Sequence, residues 1–159
     1  MAKPNFFAGM AVGIGLAALV AGGSVLAAKM DEAAIEARNK ANVIAFYNAS
    51  LNDKDWDKAK TYLGDHYTQH NPTARDGAEG LHGYIDFLKS KFPENHGEIK
   101  QVLADGNLVA LHVHSKRTPD SRGRAIVDIF RLTDDGKVVE HWDVIQDIPE
   151  ESMNDNTMF

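Results

Sequence analysis

The sequence contains no cysteine. Disulfides, cysteine nucleophiles and cysteine-based zinc sites are thereby excluded, and the fold must stand on its core alone. It has no excess of basic residues either. The formal charge is −6, with acidic and basic side chains mixed along the chain, so there is no stripe suited to a phosphate backbone and nucleic acid is not an expected partner. No Gly-x-Ser-x-Gly elbow is present to support a serine nucleophile, and no glycine-rich loop to cradle phosphate. Internal repeats and low-complexity tracts are also missing.

What is there, in 159 residues, is enough chain for one sizeable core. The amino terminus reads as targeting: Lys3 precedes an apolar stretch from Phe6 to Val20, and Val25-Leu26-Ala27 supplies small residues at a cleavage site. Residues 1–28 are therefore expected to be an export leader, with the mature chain starting near Ala28. The uncharged run from Phe6 to Ala28 is also long enough to serve as an uncleaved membrane anchor. On either reading the domain, residues 29–150, is expected to be exported, periplasmic or secreted, and residues 151–159 to form a flexible tail.

Within the domain, Ala34, Ala37, Ala41, Ile44, Tyr47 and Leu51 recur at helical spacing and predict an amphipathic helix over Asp31–Leu51. A short helix is expected over Trp56–Leu63, capped by Asp53 or Asp55 and ended by Gly64. His66 to His70 alternates and favours an extended form. Leu81, Tyr84, Ile85, Leu88 and Phe92 share a face and predict a third helix over Ala78–Phe92, with Pro93 just beyond it. The period then changes to two. Glu98–Ala104, Leu108–Arg117, Arg124–Leu132 and Lys137–Gln146 read as strands joined by short turns, hence an antiparallel meander. Helices first and a curling sheet afterwards give an α+β fold, with the sheet covered on one face and a pocket between the layers.

Alternation along strands selects the residues that carry chemistry. Ile126, Asp128 and Phe130 face one way, and on the next strand Val139, His141, Asp143 and Ile145 share a face. A carboxylate among apolar neighbours is costly to bury unless paired or protonated, and its pKa rises toward the range where it works as a general acid or base. Asp128, Asp143 and His141 are accordingly the expected catalytic group. The plainer reading is that they are structural, Asp128 bonded to an Arg or Tyr and His141 satisfied within the sheet. His112 and His114, separated by one residue, share a face and are read as pocket-lining. That spacing also occurs among metal ligands, but no further motif supports a metal site. Gln69-His70-Asn71-Pro72 is a restricted polar segment expected to rim the pocket, with His70 and Asn71 as ligand contacts. Alternatively it is a turn in which Asn71 bonds its own backbone.

Tyr67-Thr68-Gln69-His70-Asn71-Pro72, Asp76-Gly77 with Glu79-Gly80, Val127-Asp128-Ile129-Phe130-Arg131 and Gly136 to Asp143 together resemble the SnoaL-like polyketide cyclases of the NTF2-like superfamily. The similarity runs from about Asn39 to Ile148. It implies an NTF2-like cone, three amino-terminal helices packed on a curved antiparallel sheet, a largely apolar pocket, and homodimers formed through the sheet. It also implies aldol-type chemistry without metal or cofactor, with Asp143 aligned to the acid-base aspartate of those enzymes. Their second pocket residue, a histidine, falls at Asp128, which cannot supply a neutral imidazole donor. The expectation is therefore a cofactor-independent lyase or isomerase acting on a small apolar carbonyl compound. The alternative is a non-catalytic periplasmic small-molecule-binding protein.

Overall fold

The computed structural model describes the backbone of residues 16–159 and the side chains of residues 31–159. The expected leader, residues 1–28, lies outside the described side chains. Among the described residues no helix is long and apolar enough to cross a membrane. The chain divides into two compact units, Met1–Ala33 and Ala34–Phe159. Of the first, helical backbone from Leu16 and the side chains of residues 31–33 are described, and the sheet and the cavity belong to the second.

Helix α1 spans Leu16–Tyr47 and continues into a π-helical turn over Asn48–Asn52, so its α-helical part ends four residues before Leu51, where the periodicity put the end. Ser50 Oγ donates to the Phe46 carbonyl at 2.6 Å, and Asp53 N closes the widened turn on the Asn48 carbonyl at 2.7 Å. Such widened turns insert one residue into the ladder and re-aim the side chains around it. Helix α2 spans Trp56–Ala59, capped by Asp55, and passes into a 3-10 turn at Lys60–Tyr62. Helix α3 spans Gly77–Lys91. Asp76 caps it and also ties it to the preceding strand, its Oδ1 accepting from the backbone of both Gly77 and Gln69 at 2.8 Å. Leu81, Ile85 and Leu88 form its buried face, at spacings of four and three residues. Burial of Ile85 and Leu88 contributes about 1.5–3 kcal/mol each.

Five strands complete the unit: β1 Leu63–Gln69, β2 His96–Asp105, β3 Leu108–Lys116, β4 Arg124–Leu132 and β5 Val138–Asp147. They form one sheet in the order β1-β5-β4-β3-β2. The last four make the expected antiparallel meander. Strand β1 adds a parallel edge that the turn pattern does not reveal, pairing Thr68 with Glu140 and Gln69 with His141. Burial alternates residue by residue along β3 and from Ile126 onward in β4, and Val109, Leu111, Val113, Ile126 and Phe130 enter one core with Val43, Phe46 and Tyr47 of α1 and with Leu81 and Ile85 of α3. Phe46 meets Phe130 edge to face, 5.8 Å between centroids.

Two glycines set the register of this core. Gly106, at φ +57°, opens the two-residue turn between β2 and β3, and α1 grips that turn through Asn39 Nδ2 on its carbonyl and Glu36 Oε1 on its amide. Gly97 lies where any Cβ would collide with the Tyr47 hydroxyl, so that the edge of the ring can approach the β2 backbone closely.

Candidate active site

The helices and the inward face of the sheet enclose a cavity of about 420 Å³. Phe46, Leu81, Leu88, Ile126, Phe130 and Ile145 give it apolar walls, and Asp128, His141 and Asp143 stand together on its sheet side. The pairing register explains why. Asp128 is directly opposite Asp143, and Phe130 is opposite His141, so the three polar groups occupy adjacent inward positions on β4 and β5. Asp128 is 5% exposed and His141 8%.

His141 Nε2 lies 3.1 Å from Asp128 Oδ1, and its Nδ1 lies 2.9 Å from Gln69 Oε1. The Gln69 oxygen also accepts the backbone N–H of Asn71 at 2.9 Å. Because a backbone amide can only donate, this network fixes the Gln69 amide orientation, and His141 Nδ1 must carry a hydrogen. A neutral imidazole then presents a lone pair at Nε2 to a carboxylate oxygen, which is repulsive unless a proton sits between them. The pair therefore holds one shared proton, either as an imidazole with a carboxylic acid or as an imidazolium with a carboxylate. Burial raises the Asp128 carboxyl above its ordinary range, the bond and charge of His141 opposing the shift. Asp128 Oδ2 is buried without a hydrogen-bond partner among the described residues, an acceptor whose isolation costs about 1–3 kcal/mol and which a ligand donor would satisfy.

Asp143 is half-buried, and both its oxygens accept from Asn71 Nδ2, at 2.8 and 2.7 Å. Asn71 is in turn fixed by Thr73, whose backbone N–H and hydroxyl both donate to Asn71 Oδ1. Two tyrosines add to the site. Gln69 Nε2 donates to the Tyr67 hydroxyl at 3.3 Å, and burial together with the nearby Asp128 charge pushes the phenols of Tyr47 and Tyr67 far above their usual range, so both remain protonated. Asp128, His141 and Asp143 each offer one ligand atom within 4.8 Å of the others, so a divalent cation held by this unit would have these donors.

Three residues expected at the pocket lie elsewhere. His112 and His114 occupy the outward positions of β3, where the pleat turns them away from the covered side, on which Leu111 and Val113 enter the core and Ser115 lines the cavity. Both rings rest against Phe159, 5.2 and 4.7 Å between centroids, so the chain end reaches the outer sheet surface, and His114 Nε2 meets the Arg122 carbonyl at 2.7 Å. His70 likewise points outward. It stacks on Trp142 at 4.7 Å and pairs with Glu140 at 2.9 Å, because the alternation that turns Tyr67 and Gln69 inward carries the next residue to the opposite face. Conversely, Arg117 and Arg124 line the cavity and were not singled out by the sequence pattern. Their signal was available, since Arg117 follows Ser115 by two positions and Arg124 precedes Ile126 by two.

The profile of the SnoaL-like domain family matches residues 43–141, most of the helices and sheet just described, and the chain belongs to that family. No curated protein sequence matches it significantly. Among solved structures, a SnoaL-like protein of unknown function from Burkholderia thailandensis is similar at 20% identity and a TM-score of 0.59, over 70% of this chain and 96% of the other. A proposed polyketide cyclase from Bacillus cereus gives 20% and 0.59 over 68% and 74%. A proposed ketosteroid isomerase from Kribbella flavida gives 18% and 0.58 over 75% and 85%. These likenesses establish the NTF2-like fold.

Proposed function

We propose that the protein is a cofactor-independent enzyme that moves protons on a small carbonyl compound, an isomerase or an aldol-type lyase. The observation that carries this reading is the juxtaposition, inside one apolar cavity, of a proton-holding Asp128–His141 pair and the separately anchored Asp143 carboxylate. Two acidic centres whose surroundings differ can divide the base and acid roles between them. Asp143 takes the proton from the carbon beside the carbonyl, and the oxygen that gains charge receives the proton held by Asp128 and His141. Where a carbon–carbon double bond lies in conjugation with the enol, Asp143 returns its proton to the far carbon while the enol O–H gives its proton back to the Asp128–His141 pair, which restores the carbonyl with the double bond shifted and completes an isomerisation. Attack of the enol carbon on a second carbonyl forms the carbon–carbon bond of an aldol reaction, the enol O–H returning its proton to the Asp128–His141 pair and the new alkoxide taking the proton that Asp143 holds. Similar folds bear the names of a polyketide cyclase and a ketosteroid isomerase, which is consistent with this chemistry without assigning it.

The test needs no knowledge of the natural substrate. In heavy water, the hydrogens beside the carbonyl of benzylacetone are expected to exchange faster with the protein than in buffer, followed by proton NMR. Asp143→Asn should return the rate to that of buffer, a loss of about 10²–10⁴-fold for an acid-base group. Ketone binding without any acceleration by the wild type would replace this reading with a binding module. Export remains part of the proposal, with residues 1–28 as its leader.

A further inference from the structure

The end of the cavity away from Asp128 has a different charge. Ser115, Arg117 and Arg124 line it there, at the last inward positions of β3, its continuation and the start of β4. The neighbouring arginines on the same strand and loop are answered by carboxylates: Arg122 pairs with Glu150 and Arg131 with Glu140, each at 2.8 Å. Arg117 and Arg124 have no ion-pair partner among the described residues. Asp147, the cross-strand neighbour of Arg124, does not come within pairing distance, and the two cavity aspartates are engaged by His141 and Asn71 instead. Arg117 is held as though pre-set. Its guanidinium lies 4.7 Å from the Phe92 ring centroid, and its Nη2 donates to the Tyr84 hydroxyl at 3.3 Å. Its Nη1 is buried with no hydrogen-bond partner among the described residues. A cationic donor without an acceptor in an apolar wall is costly, and a planar anion presented from the cavity would satisfy it with charge-assisted hydrogen bonds.

We infer that the ligand of this cavity is a keto acid whose carboxylate seats on Arg117 and Arg124 while its carbonyl reaches Asp128, His141 and Asp143. This rests on the reading above for the carbonyl end only. Arg124 and Asp128 are four residues apart on one face of β4, about 13 Å of strand at ordinary rise, and the arginine side chain spans part of that length. An extended molecule with an apolar middle therefore matches Ile126 between the two polar ends. The third cavity arginine, Arg75, stands in the loop before α3 and adds positive charge to the wall.

The experiment compares acids with their uncharged esters by calorimetry: benzoylpropionate and benzoylvalerate, each against its methyl ester. At least one acid is expected to bind about tenfold more tightly than its ester, and folded Arg124→Gln and Arg117→Met are expected to lose that preference. Arg124→Gln leaves the Phe92 and Tyr84 contacts in place, so it decides the matter if Arg117→Met does not fold. Equal affinity for acid and ester, no binding of either acid, or a preference that survives in either folded variant overturns the inference. Asp143→Asn is expected to keep the preference, so a failure of the proton-transfer chemistry and a failure of the anion site are read separately.

Discussion

Asp128→Asn isolates what the buried pair does to stability. Asparagine keeps the shape of aspartate and can donate from its amide to His141 Nε2, so the bond to the imidazole survives while the charge is removed. In the native protein burial raises the Asp128 carboxyl above its unfolded value of 3.8. A group with a raised folded pKa takes up a proton on folding. Its contribution is fully present below the unfolded pKa and is lost as the pH climbs toward the folded one. The slope is at most about 1.4 kcal/mol per pH unit for one proton. Asparagine has no such term, so urea unfolding of both proteins between pH 4 and 8 should show the wild type losing stability relative to the variant as pH rises, with the gap levelling once Asp128 is ionised. The unpartnered Oδ2 adds to the variant's advantage at high pH only, since the uncompensated charge exists only there. A gap independent of pH would refute the reasoning. So would a wild type that gains on the variant as pH rises, which would mean that the bond to His141 outweighs desolvation.

Asn71→Ala removes both hydrogen bonds to Asp143 and should lower the exchange rate on benzylacetone more than it raises the ketone Kd, because the carboxylate stays but loses its orientation; an unchanged rate would show that the clamp is irrelevant. His112→Ala and His114→Ala should leave that rate and ketone affinity unchanged, since both rings face away from the cavity; a measurable loss in either would contradict the sheet orientation. Chelator is expected to leave exchange activity intact, and restoration of a lost activity by a divalent ion would reassign Asp128, His141 and Asp143 as ligands. Lys54→Met should destabilise the fold by about 1–3 kcal/mol in urea melts, because its ammonium donates to the carbonyls of Asn52 and Asn95, which the variant leaves without it. Intact-mass measurement on protein from its native host should show a chain beginning near Ala28; the full-length mass would favour an anchor.

The strand periods placed Asp128, His141 and Asp143 on inward faces, because alternation is a local property of extended backbone and the apolar neighbours of each acid reveal which face is inward. The same local rule located α3, whose apolar stripe and aspartate cap are written in consecutive residues. Histidine positions were harder to judge from the residues alone. His112 and His114 alternate as well as any pocket residue, but only the sheet's covered side, settled by Leu111 and Val113 packing under α1, decides that they face outward. His70 is one residue past an inward Gln69 and is carried to Trp142 by the pleat. The parallel joining of β1 to β5 is a contact between segments some seventy residues apart, with no turn to announce it. That pairing brings Gln69 and Asn71 to His141 and Asp143. Local sequence therefore determined which side chains could be acids and bases, while their proton sharing, their anchoring and the cationic far end of the cavity came from strands meeting across the sheet, where distance along the chain carries no information.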